Sequence, residues 1–385
     1  MKLRITTVVA LFAATAFAGV GLAGPIETTG SSPKEASFRQ VVVVEGLDRP
    51  WSFAWLADGT MLVTEKPGRL RVVRDGKLDP TPVAGLPTDI FAGGQGGLFE
   101  VSPHPKFAEN KLLYISYSAG TNTANRTTLI RGEFDGKALS KVEKLFEVSQ
   151  PKRGGQHFGG KIVWLPDGTL LLSIGDGGNP PASIDGDLSR KQAQNPKSQI
   201  GKVVHLKDDG KPVGKPAFSQ DGAEMVFTMG HRNIQGMARD PVSGRIYATE
   251  HGARGGDEFN ELKAGSNYGW PVVTYSVEYS GKVITEERSR PEFADPLVAW
   301  VPSPAPSGLV IYQGDKFPAW KGDALSGNLA GQHIRRIDLD EKGNVIGQTM
   351  LEIGQRVRDV REGPDGYVYL CTDEATGKVV RLEPK

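Results

Sequence analysis

Five stretches of this chain are too polar and too rich in glycine to be plain strands. They are Gly93-Gly-Gln95-Gly-Gly-Leu98, Arg153-Gly-Gly-Gln156-His157-Phe-Gly-Gly160, Gly230-His-Arg232-Asn233-Ile-Gln-Gly236, Glu250-His-Gly252-Ala253-Arg-Gly-Gly-Asp257-Glu258 and Gln355-Arg356-Val-Arg358-Asp359. Glycine lets backbone approach a ligand closely and adopt positive φ. His157 sits between glycine pairs rather than in an apolar run. A neutral imidazole there suits removal of a proton from an alcohol near neutral pH. The residue type alone leaves open a second role, a loop histidine bonded to backbone. Arg356 and Arg358 alternate, so in a strand both point to one side. Two converging guanidiniums select carboxylates through paired charge-assisted hydrogen bonds. The acidic pair Asp257-Glu258, followed by Asn267-Tyr268-Gly-Trp270-Pro, offers the oxygen ligands that calcium prefers, although no EF-hand spacing is present. A solvated acidic loop is the alternative there.

The elements that must carry these stretches show as a repeat. A turn containing Asp, Ser or Asn with Gly or Lys precedes an apolar strand ending in Ser or Thr. Copies are Asp58-Gly-Thr-Met-Leu-Val-Thr64, Asn110-Lys-Leu-Leu-Tyr-Ile-Ser116, Asp167-Gly-Thr-Leu-Leu-Leu-Ser173, Ser243-Gly-Arg-Ile-Tyr-Ala-Thr249 and Asp365-Gly-Tyr-Val-Tyr-Leu-Cys-Thr372, with a degenerate one at Gly322-Asp-Ala-Leu-Ser-Gly327. Six copies at intervals of roughly 40 to 80 residues predict an all-β, six-bladed propeller with four-stranded antiparallel blades. Each copy is expected to be the hairpin between the second and third strands of a blade. Phe38-Arg-Gln-Val-Val-Val-Val44 is expected to close the ring by joining the last blade. The extra length between the third, fourth and fifth copies predicts long loops at one mouth of the channel, where a site is expected.

Composition sets the remaining bounds. Lys and Arg total 46 against 45 Asp and Glu, and no basic cluster points to nucleic acid. Lys2 and Arg4 precede an uncharged stretch from Ile5 to Ile26 with small residues at Ala16-Phe-Ala18 and Gly21-Leu-Ala23. This layout predicts a cleaved signal peptide over 1–23, a periplasmic or secreted protein, and no membrane span after cleavage. A flexible segment over 24–37 and one propeller domain over 38–385 follow. Cys371 is the sole cysteine, so an intrachain disulfide is impossible, and its apolar surroundings predict a buried, inert thiol.

In this order, the glycine-rich motifs together with Arg-Val-Arg-Asp-Val and Gly-Pro-Asp-Gly resemble the soluble quinoprotein glucose/aldose-sugar dehydrogenase family, also called the glucose/sorbosone dehydrogenase family. The resemblance runs from Leu47-Asp-Arg-Pro-Trp51 to Asp365-Gly-Tyr-Val-Tyr369. It implies a six-bladed propeller that oxidises aldose sugars at C1 to lactones with pyrroloquinoline quinone and calcium. By the same resemblance His157 is the general base, and Arg232 is a catalytic and quinone-contacting cation. Gln95, Asn233, Asn328, Leu329, Ala330, Arg356 and Arg358 fall at cofactor-binding positions. Main-chain oxygens of Gly252 and Ala253 match the calcium that touches the quinone, and Glu258 with the main chain of Tyr268 matches a further calcium.

Two departures stand out. Some family members carry a cofactor-binding lysine where Gly327-Asn328-Leu329-Ala330 places Ala330; Gln332 and Arg335 are the nearby residues that could compensate. Gln156 stands where glucose-specific members carry an acid, so tight glucose specificity does not follow. The absence of a Cys-x-x-Cys-His motif means that electrons leave to an external acceptor. Fold alone permits two other readings, a calcium-dependent lactonase-type propeller hydrolase and a non-catalytic propeller that binds glycans or proteins.

Overall fold

In Met61–Glu65 and Leu170–Ile174 every residue is buried. A strand reads this way when its sheet is covered on both faces, as a blade is by its two neighbours. A computed structural model describes residues 26–28, 32–178, 182–184 and 186–385; the signal peptide expected over 1–23 lies outside them. Among the described residues, six antiparallel sheets form a six-bladed propeller. Blade 1 is Pro50–Trp55, Met61–Glu65, Arg69–Arg74 and Lys77–Leu78; blade 2 is Leu98–Pro103, Leu112–Gly120, Asn125–Phe134 and Leu139–Glu147. Blade 3 is Ile162–Trp164, Leu170–Ile174, Lys202–Leu206 and Val226–Met229; blade 4 is Ile234–Arg239, Ile246–Glu250, Asp257–Leu262 and Val298–Trp300. Blade 5 is Pro306–Ile311, Ala324–Asn328, His333–Leu339 and Val345–Glu352. Blade 6 is Val357–Glu362, Val368–Thr372 and Gly377–Pro384, completed by Phe38–Leu47. The expected closure is present, with Gln40 opposite Leu382 and Val44 opposite Val379.

Six apolar clusters each span one blade interface. Phe53, Met61 and Val63 of blade 1 pack on Val44, Cys371 and Val379 of blade 6, and equivalent clusters join the other five pairs. Cys371 is buried there, as expected. Nearer the channel, Lys161 Nζ bonds Glu100 Oε2 (2.9 Å) and Asp359 Oδ1 (2.7 Å), and Arg361 pairs with both carboxylates. This quartet ties blades 2, 3 and 6 together.

Two expectations require correction. All six repeat copies lie at the hairpin between the first and second strands, not the second and third. With both sheet faces buried, the strands share one apolar pattern, and the pattern does not number them. Because successive strands are antiparallel, those six turns lie on one face. The second-to-third and blade-to-blade connections therefore lie on the other, where the site forms. The long loops do not all start there either. Residues 175–201 do, whereas 263–297 leave the third strand of blade 4 on the opposite face and climb back, Asn267 bridging Met229. Ahead of the propeller, Ile26–Glu27 and Lys34–Glu35 add parallel edge strands to blades 4 and 5.

Candidate functional site

His157 lies in the connection from blade 2 to blade 3 with φ of 46°. Gly159 follows at φ 68°, and a side chain there would strike the Ser173 backbone, so the turn that aims His157 requires glycine. The His157 N–H donates to Gln95 Oε1 (2.9 Å). On the ring, Nδ1 lies 2.6 Å from Asp176 Oδ1. Asp176 is fully buried and also accepts from Trp270 Nε1 (2.9 Å) at Oδ2 and from the Gly178 N–H (3.1 Å) at Oδ1. Burial, seconded by the Arg232 charge, holds the His157 pKa below its usual value despite Asp176. Burial works to raise Asp176, but the His157 and Arg232 charges hold it below the usual carboxylate value. The outcome is a neutral imidazole and an ionised carboxylate. A carboxylate only accepts, so the ring proton sits on Nδ1 and the Nε2 lone pair is free. Nε2 has no hydrogen-bond partner among the described residues and is not sealed off from solvent.

Two hollows are lined by chain neighbours of the dyad, though neither His157 nor Asp176 is in either wall. One, of about 260 Å³, lies at the channel mouth and includes Gln95, Phe158, Gly159, His251, Arg356 and Arg358 in its wall. Arg356 and Arg358 converge as expected, although not by strand alternation, since Arg356 precedes the strand Val357–Glu362 and Arg358 lies at a register shift; both pair with Asp373 (3.0 and 3.1 Å). The other, of about 770 Å³, is lined by Lys152, Gly155, Gln156, Gly177 and Gly178, residues that flank His157 and Asp176 in the chain. Lys152 Nζ stacks on the Phe158 ring at 3.7 Å and bonds Asn125 Oδ1 (3.0 Å); burial lowers its pKa to about 7.

Arg232 is buried beneath the first hollow rather than in its wall. Its Nη1 donates to the carbonyl oxygens of His251 (3.1 Å) and Gly252, and its guanidinium lies 5.4 Å from the Trp270 ring centroid. Asn233 accepts the Gly159 N–H (3.2 Å), while its Nδ2 is buried with no partner. The Gly252 carbonyl, expected to face calcium, accepts from Arg232 here. A void of about 10 Å³, room for a single water or ion, is lined by Arg232 itself together with Glu250, Gly252, Glu258 and Tyr268. Burial and the neighbouring Glu250 push the Glu258 carboxyl well up. No group of three or more His, Cys, Asp or Glu side chains fit to hold a metal occurs among the described residues, so further ligands here would be carbonyls.

Of the triplet Asn328, Leu329 and Ala330, only Leu329 reaches the first hollow. Asn328 turns its amide into its own hairpin, bonding Ser326 O (3.1 Å) and His333 O (3.4 Å). Ala330 is exposed. Arg335 cannot take the place of a cation at that wall, because it is buried against Glu27 and Ser32. Gln332 lines a different hollow, beside His333 and Met350. Sequence reasoning missed Asp176, Asp373 and Lys66, the last also in the first hollow. Asp176 carried a usable signal: like His157, it stands among glycines, in Gly175-Asp176-Gly177-Gly178 just past a repeat strand.

The family model described as Glucose / Sorbosone dehydrogenase matches residues 47–381. Among curated proteins, aldose sugar dehydrogenase YliI of Escherichia coli is 37% identical, over 89% of this chain and 92% of its own. Among solved structures, the apo-form soluble aldose sugar dehydrogenase of Escherichia coli superposes with a TM-score of 0.84 at 34% identity, covering 90% of this chain and all of the other. The PQQ-bound aldose sugar dehydrogenase of Streptomyces coelicolor gives 0.72 at 26% identity, over 91% of this chain and all of its own.

Proposed function

This chain belongs to the glucose/sorbosone dehydrogenase family of oxidoreductases, and from that premise we propose that it oxidises aldose sugars at C1 to lactones, using pyrroloquinoline quinone and calcium. The observation that carries the reading is the buried His157–Asp176 dyad with its free Nε2, whose chain neighbours Phe158 and Gly159 line a hollow with an excess of cations. The residues fit the quinone on chemistry. Arg356 and Arg358 with a single shared carboxylate leave positive charge for an anionic ligand, and Asn233 keeps an orphaned buried donor close by. For calcium they offer the Glu258 carboxylate and Tyr268 at the small void, whose wall also carries Arg232.

When bound, the quinone supplies a two-electron acceptor for hydride from the sugar's C1, and calcium a Lewis acid that polarises the accepting carbonyl. His157 Nε2 takes the C1 hydroxyl proton. Asp176 fixes the tautomer and steadies the imidazolium as it forms. Arg232, buried among carbonyls, adds positive charge without a mobile solvent shell. Gln156, Gly155 and Gly177, in the larger hollow, face the sugar. Electrons then leave to an external acceptor, and the amino-terminal residues direct the chain to the periplasm or outside the cell.

The test is reconstitution of purified apo-protein with pyrroloquinoline quinone and calcium, then dye reduction on a panel of aldoses. Reduction that requires both additions is expected. Absence of both turnover and quinone binding would refute the reading.

A further inference from the structure

The hollow assigned to the quinone carries three cations, Lys66, Arg356 and Arg358, and one carboxylate, Asp373. Both guanidiniums hold Asp373 by the same oxygen, Oδ2. Arg356 reaches it through Nε and Nη2 and Arg358 through Nη2. Although burial works to raise its carboxyl, Arg358 and Arg356 bring it down to about 2. Lys66 is left over, for its ammonium makes no hydrogen bond or ion pair with any described residue. Burial and the nearby Arg358, Arg49 and Arg356 charges lower its pKa, with Asp373 opposing. A half-buried ammonium crowded by guanidiniums is costly unless something brings it negative charge.

The fold nonetheless holds Lys66 in place. It opens the turn between the second and third strands of blade 1. Its N–H donates to Arg49 O (3.0 Å), and its carbonyl accepts from the Leu98 N–H (3.2 Å). Gly97 has φ of 148°, and a side chain there would run into the Lys66 carbonyl and Cγ. That glycine keeps open the groove along which the lysine reaches the hollow. The opposite wall supplies no such charge, since Leu329 is apolar, Ala330 is exposed and Arg335 is spent on Glu27.

We propose that Lys66 is a cofactor-binding residue that pairs with a carboxylate of the quinone, so that in this chain the third cation of the pocket comes from blade 1. The inference rests on the quinone reading above and deepens it.

The experiment titrates full-length apo-protein, with calcium present, with pyrroloquinoline quinone and separately with its trimethyl ester, following quenching of tryptophan fluorescence; Trp51 lines the hollow. Wild type is compared with Lys66→Met, Lys66→Gln and Lys66→Arg, each checked by thermal melting. Loss of one charge-assisted contact is expected to weaken quinone binding by roughly 10- to 100-fold in the Met and Gln variants. The Arg variant should stay within about threefold of wild type, and the ester should bind wild type and Lys66→Met alike. If wild type binds the quinone and a folded Met or Gln variant binds it equally tightly, the role of Lys66 is overturned while the quinone reading stands. If wild type binds no quinone, both fall together.

Discussion

Replacing Asp176 by asparagine tests the dyad at the level of single hydrogen atoms. Three donors converge on the carboxylate: His157 Nδ1–H at 2.6 Å, Trp270 Nε1–H at 2.9 Å and the Gly178 N–H at 3.1 Å. Asparagine keeps the shape but offers one acceptor oxygen and one NH₂. If the oxygen stays toward His157 and Gly178, the NH₂ meets the Trp270 N–H, donor against donor. If the amide flips, the NH₂ faces His157, whose proton must then move to Nε2, and the base is lost. Either way the negative charge that steadies the imidazolium is gone. Turnover of the fully loaded enzyme should therefore fall by roughly 10²–10⁴-fold, the value of a general base, with quinone binding within about threefold of wild type. The pH profile separates this from a merely structural defect. In wild type the His157 pKa lies below its usual value, so kcat should rise with pH through an acid limb below about 6.5 and be flat at neutrality. The Asp176 charge works to raise that pKa; without it, the surviving acid limb should move to lower pH while the plateau drops. A loaded Asp176→Asn enzyme that turns over within about threefold of wild type, with its acid limb unmoved, would refute the reasoning.

Three further outcomes are expected. His157→Ala should retain quinone by fluorescence titration yet lose roughly 10²–10⁴-fold in turnover; full activity in a loaded variant removes His157 from the reaction. Lys161→Ala strips a buried ammonium from Glu100 and Asp359 and should cost about 3–5 kcal/mol in urea unfolding. Burial works to raise the Asp359 carboxyl, but Arg361 and Lys161 hold it below its ordinary value. Its contribution is therefore present above the unfolded value of about 3.9 and lost as pH falls through the lower folded one, so acid melts should show the difference between variant and wild type shrinking there. A chelator should lower the melting temperature of the calcium-loaded protein, and Glu258→Gln should blunt that response; an equal shift in both would remove Glu258 as a calcium ligand.

The propeller was legible because each blade must bury two faces and turn back at the same kind of polar hairpin, which leaves one periodic mark per blade. The order of strands within a blade was not. When every strand of a sheet is apolar on both sides, as Met61–Glu65 and Leu170–Ile174 are, a first strand and a second read alike. The site was legible in the same partial way. His157, Arg356 and Arg358 announced themselves by standing polar among glycines or by alternating in sequence, and these are local properties of backbone and side-chain type. Asp176 too stands among glycines, but its role follows from His157, and Lys66 gave no local sign, because its setting is made by Arg356, Arg358 and Asp373 from the other end of the chain.

Residue types and spacing by themselves determined the blade number, the closing strand and the chemistry the glycine-rich loops offer. Which of those loops meet was decided only by the ring. His157 touches an aspartate 19 residues on, and that aspartate is held by a tryptophan 94 residues beyond it. Lys66 shares a hollow with Arg356 and Arg358 because blade 6 closes against blade 1. Charge balance in a cavity is a sum over everything that lines it, and the chain order carries no record of that sum until the sheets are packed around one axis.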